Sequence, residues 1–122
     1  MMDGPMADII ERYLHAIASH DWDVVDECIA DDIVRAGPPT GTATRDATNI
    51  SPFMADLMPK LKGYVMKLDR VTYASDALAF AELSETVEFD GKPMVTPEVL
   101  VFELASDRRI ARVDIFIHTP AG

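Results

Sequence analysis

The stretch AFAELSETVEFDGKPMVTPEVLVF, residues 79–102, decides the fold because it predicts a long β-hairpin around Asp90-Gly91. Apolar and polar residues alternate on both sides of this dipeptide, and Asp-Gly is a preferred two-residue loop in hairpins. With that loop, Phe89 lies opposite Lys92, and every further cross-strand pair follows from this one. The sequence therefore predicts the register of the hairpin as well as its existence.

Two acidic residues of this hairpin share one mostly apolar face. The register places Glu85 opposite Thr96 and Glu98 opposite Leu83, so both carboxyl groups point to the same side. The apolar residues of that face are Ala81, Leu83, Val87, Leu100 and Phe102. A carboxylate in such surroundings is costly unless it is paired, protonated or lines a cavity. We therefore expect the functional site on this face.

Length and composition favour a single domain spanning residues 1–122. The chain is 48% hydrophobic and 26% charged, as in ordinary globular proteins. Its formal net charge of −10 argues against nucleic acid or an anionic membrane as a partner. Cys28 is the single cysteine, which excludes an internal disulfide and favours a cytoplasmic location.

The histidines and the known short motifs give no sign of a metal or a cofactor. His15, His20 and His118 do not fall at metal-ligand spacing, and the sequence holds no glycine-rich phosphate loop and no nucleotide fingerprint. No apolar run reaches the length needed to span a bilayer. We therefore expect no metal, no cofactor and no membrane partner.

Helical patterns come first in the chain. A stripe with helical spacing, formed by Ile9, Ile10, Tyr13, Leu14 and Ile17, predicts a helix that begins near Pro5 and ends near Ser19. Asp21 is predicted to cap a second helix. Residues 45–61 have a helical but interrupted pattern, and Ser51-Pro52 is a further start signal within it, so the main third helix is predicted over residues 52–58. The residues between Thr40 and Thr44 are predicted to form a loop.

Strand patterns follow, and the order of elements indicates an α+β fold. The predicted strands are 33–36, 64–73, 77–89, 93–104 and 109–118. Their succession predicts an antiparallel meander whose one face is covered by the helices. The fold class is therefore α+β, with N-terminal helices packed on a curved antiparallel sheet.

Several short segments, in this order, resemble the ketosteroid isomerase and SnoaL-like branch of the NTF2-like superfamily. They are Arg12-Tyr13-Leu14, Asp21-Trp22, Ala30-Asp31-Asp32, Asp90-Gly91-Lys92, Val101-Phe102-Glu103-Leu104 and Arg109-Ile110-Ala111-Arg112. The resemblance covers about residues 6 to 118. It implies a cone-shaped α+β barrel with a deep apolar pocket, and commonly a homodimer. It also places Asp114, Phe116 and His118 on the outer face, where such proteins often dimerise.

The resemblance carries over only one of the three groups that ketosteroid isomerases use. The tyrosine that donates to the oxyanion matches Tyr13. The general-base aspartate falls on Gly37, and the second oxyanion donor, a protonated aspartate, falls on Leu100. This chain therefore lacks the standard ketosteroid isomerase base.

Limonene-epoxide hydrolases, another branch, give a similar result. The positions that match their functional residues are Arg35, Gly37, Leu83, Glu85 and Ile115. Only Glu85 is chemically similar to its counterpart. Both comparisons imply that Glu85 faces the pocket and that Val113, Ile115 and Ile117 line it.

Glu85 and Glu98 are diagonal neighbours across the hairpin, about 7–8 Å apart at Cα. Two carboxylates in a pocket of low dielectric do not both ionise easily, so one pKa should rise, which is how a general acid or base is made. The alternative is an ion pair with Arg35, which shares the pocket-facing side of its strand by resemblance. Such an ion pair would orient a ligand or have a purely structural role. The hydroxyl of Tyr13 is expected to meet one of the glutamates.

Two functions follow from this set of residues. The first is a cofactor-free acid–base enzyme of isomerase, cyclase or hydrolase type that acts on a small apolar ring compound, with Tyr13, Glu85 and Glu98 as catalytic residues. The second is a non-catalytic dimeric protein that binds an apolar ligand or serves as an accessory domain. In both, the expected ligand-binding residues are Arg35, Met54, Met58, Leu83, Leu100, Phe102, Val113, Ile115 and Ile117.

Overall fold

The structure, a computed structural model, describes residues 5–37 and 43–117, with side chains described from residue 9 onward. Three helices pack on one six-stranded curved sheet, which confirms the predicted α+β class. The helices are α1 (Pro5–Ala18), α2 (Trp22–Cys28) and α3 (Ala47–Leu57), and one turn of 3₁₀ helix follows at Met58–Lys60. The strands are β1 (Ile29–Ala36), β2 (Thr44–Arg45), β3 (Val65–Tyr73), β4 (Leu78–Phe89), β5 (Lys92–Leu104) and β6 (Ile110–Ile117). No helix of the described residues is both long and apolar enough to cross a membrane.

Helix α1 buries one stripe of side chains against the sheet. Its core residues are Ile10, Tyr13, Leu14 and Ile17, which recur at the spacing of one helix face. Helix α2 begins after Asp21, whose side chain accepts a hydrogen bond from the backbone N–H of Val24 at 3.4 Å. Asp3, a capping residue type shortly before Pro5 in the sequence, lies outside the described residues.

The predicted start of the third helix at Ser51-Pro52 was wrong. Helix α3 begins at Ala47 and runs through Pro52 without a break. Ser51 is buried, and its hydroxyl has no hydrogen-bond partner among the described residues, so it does not act as a cap. Ile50 and Met54 on the same side belong to the hydrophobic core, and their burial outweighs the one backbone hydrogen bond that a proline removes.

The sheet has the strand order β2-β1-β6-β5-β4-β3. All its strand pairs are antiparallel except β1 with β6, which is parallel, so the prediction of a wholly antiparallel sheet was wrong in this one pair. Strand β1 pairs with the last strand, β6, although the two are far apart in the chain. No local turn indicates such a pairing. The described strands β2 and β3 form the two edges, so the curved sheet is not closed. Strand β1 begins four residues earlier than predicted, and Thr44 lies in β2 rather than in a loop.

The hairpin of β4 and β5 has the predicted register. Phe89 pairs with Lys92, and Asp90 and Gly91 both have positive φ angles, of 53° and 76°, as a two-residue type I′ turn requires. Glu85 consequently pairs with Thr96, and Leu83 pairs with Glu98. The predicted pairing is confirmed throughout the hairpin.

Strands β1 and β6 approach each other closely at Gly37, just beyond the end of β1. Its φ angle is +129°, and a Cβ atom built there would lie 2.7 Å from the Cβ atom and 2.8 Å from the carbonyl oxygen of Ile115. A side chain at this position therefore requires both an unfavourable backbone conformation and a displacement of β6.

We expect Gly37→Ala to lower the free energy of unfolding by about 3 kcal/mol, because strain and overpacking act together. Gly91→Ala is the matched control. Its φ angle is also positive, but a Cβ atom there meets nothing within 4 Å. The control substitution should lower the free energy of unfolding by only about 1 kcal/mol. Urea unfolding of both variants measures the difference, and equal losses would contradict a close approach at Gly37.

Candidate functional site

The hairpin brings Glu85 and Glu98 together beneath the helices. Both side chains point to the inner face of the sheet because of the pairing of β4 with β5. Glu98 is 9% exposed and Glu85 is half-buried. The hairpin thus holds two carboxyl groups in a region of mostly apolar side chains.

Tyr64 is the functional-site candidate that sequence reasoning missed. It lies just before β3, two residues ahead of Met66, which pairs with Glu85 on β4. Its hydroxyl donates a hydrogen bond to Oε2 of Glu85. The alternation of Tyr64 and Met66 places both on the inner face, but only the pairing of β3 with β4 shows which glutamate is near.

The environment of Glu98 favours its neutral form. Burial raises the pKa of Glu98 to about 9, and its hydrogen bond to Glu85 and the negative charge of Glu85 act in the same direction. The positive charge of Arg35 acts against this rise. Near neutral pH, Glu98 is therefore a carboxylic acid that can donate a hydrogen bond or a proton.

Both tyrosines of the site remain protonated donors. Burial raises the pKa of Tyr13, which the charge of Arg35 partly offsets. Burial also raises the pKa of Tyr64 well above its usual value, and the negative charge of Glu85 adds to the rise. Neither phenol can therefore serve as a base at neutral pH.

Arg35 supplies the positive charge of the site. It lies on β1, is 8% exposed, and its guanidinium carbon is 5.8 Å from the ring centroid of Phe53. The neighbouring strand β6 carries Val113 at the paired position. Strand β1 therefore directs this cation to the same space as the hairpin glutamates.

Two adjoining cavities meet at the glutamates. An inner cavity of about 30 Å³ extends toward α1, and an open pocket of about 350 Å³ extends toward α3. The residues that line both are Arg35, Met54, Glu85, Glu98 and Ile115. The larger volume is enough for a small organic molecule at the lower end of the usual range of ligand pockets.

Most of the predicted site residues line these cavities. The inner one is lined by Tyr13, Leu83, Leu100 and Val113 in addition to the shared set, and the open pocket by Met58 and Ile117. Phe102 lines neither, and instead packs edge-on against Tyr13 with ring centroids 5.9 Å apart. Beyond the expected ligand-binding residues named above, the lining also includes Leu14, Ile17, Leu57, Leu61, Tyr64, Met66, Val87, Met94 and Thr96.

Across residues 5–37 and 43–117, no three His, Cys, Asp or Glu side chains are grouped so as to hold a metal ion. The polar groups of the cavities are a carboxylic acid, a carboxylate, two phenols, a hydroxyl and a guanidinium. This set can bind an oxygen atom of a ligand, and it can accept or release a proton.

Solved structures with the same fold include proteins of several activities. A proposed polyketide cyclase from Sinorhizobium meliloti is 25% identical, with a TM-score of 0.73 over 88% of this chain and 93% of that one. An LEH-like epoxide hydrolase of M. tuberculosis is 21% identical, with a TM-score of 0.77 over 93% and 82%. A proposed ketosteroid isomerase from Kribbella flavida is 15% identical, with a TM-score of 0.81 over 96% and 80%.

The comparison of sequences agrees with this fold. No curated protein matches the chain significantly. The family model of the SnoaL-like domain, however, matches residues 10–113, which is most of the sequence. The chain therefore belongs to the SnoaL-like domain family, within the NTF2-like superfamily.

Proposed function

We propose that the protein is a cofactor-independent acid–base enzyme that acts on a small, mostly apolar ring compound with a carbonyl or epoxide oxygen. The observation that carries the proposal is the buried acid Glu98, whose pKa is raised to about 9, beside the negatively charged Glu85 in an open pocket. Together the two residues hold one proton and one negative charge. Such a pair can supply a general acid and a general base at the same time.

For a ring ketone, the pair would catalyse enolisation. The carboxylate of Glu85 accepts a proton from the carbon next to the carbonyl, while Glu98 donates its proton to the carbonyl oxygen. The enol returns its O–H proton to Glu98, and Glu85 delivers its proton to carbon, so both groups recover their starting states. Delivery of the proton to a different carbon is an isomerisation. In a cyclisation, the enol carbon instead attacks a second carbonyl, whose oxygen takes the proton from Glu85 while the enol O–H proton returns to Glu98.

For an epoxide, the same two groups would act on a water molecule. Glu98 protonates the epoxide oxygen as the C–O bond breaks, and Glu85 accepts a proton from the attacking water. Tyr13 and Arg35 border the same space and would orient the ligand oxygen. Cyclases, isomerases and epoxide hydrolases, the activities named for proteins of similar fold, share this need to move protons at an oxygen-bearing substrate.

The geometry at Gly37 favours acid–base groups on the hairpin over a base at the position that ketosteroid isomerases use. The matching position holds no side chain, and Ile115 occupies the space that one would need. The position of the second oxyanion donor holds Leu100, which lines the inner cavity. The acid–base groups of this pocket are thus on β4 and β5, and the proposal assigns the chemistry to them.

We expect Glu98→Gln to reduce turnover about 100-fold or more, because the amide cannot donate a proton in the transition state. Activity of the unaltered protein should fall as the pH rises through about 9, where Glu98 ionises. Two probes cover the proposed reactions: a β,γ-unsaturated cyclohexenone, followed by the absorbance of the conjugated product, and cyclohexene oxide, followed by the diol.

Glu103→Gln is the matched control for this experiment. Glu103 lies on the same strand but is exposed, and its carboxylate is 3.9 Å from Arg112 on the outer face. Its replacement should leave turnover unchanged. Equal turnover by the unaltered protein and by Glu98→Gln would contradict the assignment. Saturable binding of the probes without turnover would instead support the non-catalytic ligand-binding alternative.

The buried acid also predicts how stability depends on pH. A glutamate in the unfolded chain has a pKa of about 4.3, whereas that of Glu98 in the folded protein is about 9. Between these values the folded state binds one proton more than the unfolded state. The free energy of unfolding should therefore decrease as the pH rises through this window, with a slope approaching about 1 kcal/mol per pH unit.

Glu98→Gln should remove this contribution. Its free energy of unfolding relative to that of the unaltered protein should increase steadily from pH 5 to pH 9 and then level off. Urea unfolding at a series of pH values measures this difference. Parallel pH profiles for the two proteins would show that Glu98 is not held in its neutral form.

We further propose that the outer face of the sheet binds a second copy of the chain. Val99 on β5 and Phe116 on β6 are paired neighbours on that face, and they are 37% and 59% exposed. Val95, on the same side of β5, is 59% exposed. Such an apolar patch on a sheet face is self-complementary in a two-fold symmetric dimer, in which each copy covers the other.

We expect Phe116→Asp to convert a dimer into a monomer, as measured by light scattering after size-exclusion chromatography, because the carboxylate would be buried without a partner. Phe89→Asp is the control. Phe89 is 65% exposed, but it lies at the hairpin turn on the other face. A monomeric unaltered protein, or a dimer in both variants, would contradict this interface.

A further inference from the structure

We propose that Tyr64 is a positioning residue that decides which of the two glutamates carries the negative charge: its phenol donates to Glu85 and so keeps the shared proton on Glu98. The catalytic consequence rests on the proposed function, but the distribution of the proton can be tested without it. The structural basis is the hydrogen bond from the hydroxyl of Tyr64 to Oε2 of Glu85.

The segment that carries Tyr64 is anchored on the strand that carries Glu85. The backbone N–H of Glu88 donates to the carbonyl oxygen of Lys62 at 2.7 Å, and Val65 pairs with Thr86 on the other side of the tyrosine. Tyr64 is thus held between two contacts to β4. The phenol does not depend on a flexible loop to reach the carboxylate.

A phenol is suited to this task because it donates but does not ionise in the pH range where the carboxyl groups titrate. A tyrosine has an ordinary pKa of about 10, and burial and the charge of Glu85 raise the pKa of Tyr64 further. Glu85 therefore always has a neutral donor at one oxygen. A donor to a carboxylate stabilises its charged form, so the charge stays on Glu85.

The other titratable groups of the cavities do not explain why the negative charge lies on Glu85 and not on Glu98. Among the described residues that line them, the titratable groups are Tyr13, Arg35, Tyr64, Glu85 and Glu98. Arg35 favours ionisation of Glu98, which is opposite to the effect of Tyr64. Burial of Glu98 and the phenol on Glu85 together determine where the proton lies.

The experiment is a titration by nuclear magnetic resonance of protein with ¹³C-labelled glutamate, from pH 4 to 10.5. The variants Glu85→Gln and Glu98→Gln assign the two carboxyl resonances. In the unaltered protein, we expect the first ionisation of the pair to move only the Glu85 resonance. In Tyr64→Phe, the midpoint of this step should rise by about one pH unit or more, a tenfold change in proton affinity, because a hydrogen bond to the charged group is lost. Both resonances should then move in the first step.

Tyr73→Phe, at the far end of β3, is the control and should titrate like the unaltered protein. An unchanged midpoint in Tyr64→Phe, with the first step still confined to Glu85, would overturn the inference. A second measurement leaves Tyr64 in place. In Glu85→Gln, the absorbance of phenolate at 295 nm should appear at lower pH than in the unaltered protein, and an unchanged tyrosine titration would also overturn it.

The two proposals fail separately in these experiments. If Tyr64→Phe alters the titration as expected but the unaltered protein converts neither probe substrate, the positioning role of Tyr64 is supported and the proposed enzymatic activity is contradicted. If the unaltered protein converts a probe and Tyr64→Phe titrates normally, the acid–base function stands and Tyr64 serves packing alone.

Discussion

The turn at Asp90-Gly91 constrains the rest of the structure because it fixes the pairing of β4 with β5. Both of its residues have positive φ angles, which a two-residue type I′ turn requires and which Asp-Gly tolerates well. Side chains alternate between the faces of a sheet, so a shift of one residue would turn the whole inner set of a strand to the outer face. The turn therefore determines that Glu85 and Glu98 meet inside the protein rather than at its surface.

Burial of these two acids is tolerable because they do not both carry charge. A neutral carboxylic acid loses far less hydration free energy than a carboxylate, and Glu98 is in its neutral form up to a pKa of about 9. The remaining charge on Glu85 is met by the hydroxyl of Tyr64, and Arg35 lines the same cavities. The raised pKa of Glu98 thus favours a shared proton, and the positive charge of Arg35 acts against this rise.

The parts of the fold that local chemistry specifies were predictable from the sequence, and the parts that depend on distant contacts were not. The hairpin register follows from two turn residues, and α1 from one stripe of apolar positions. The parallel pairing of β1 with β6 joins segments far apart in the chain, so no turn indicates it. The same is true of Tyr64, since the connection between β3 and β4 does not fix a register as a two-residue turn does. Helix α3 continues through Pro52 because tertiary burial outweighs the local break.

Proteins of one fold can carry their acid–base groups on different strands, and Gly37 shows why those of this protein are not at the end of β1. The end of β1 lies beside Ile115, and the close approach of the two strands leaves no room for a side chain. A carboxyl group at position 37 would have no room, and the two described carboxyl groups that line this pocket, Glu85 and Glu98, are on the hairpin. Glu98 there is paired with Leu83 and surrounded by apolar side chains, which raises its pKa, whereas Glu85 is more exposed and accepts a hydrogen bond from the hydroxyl of Tyr64. The burial of Glu98 and the hydroxyl of Tyr64 on Glu85 together separate the acid from the carboxylate along one hairpin.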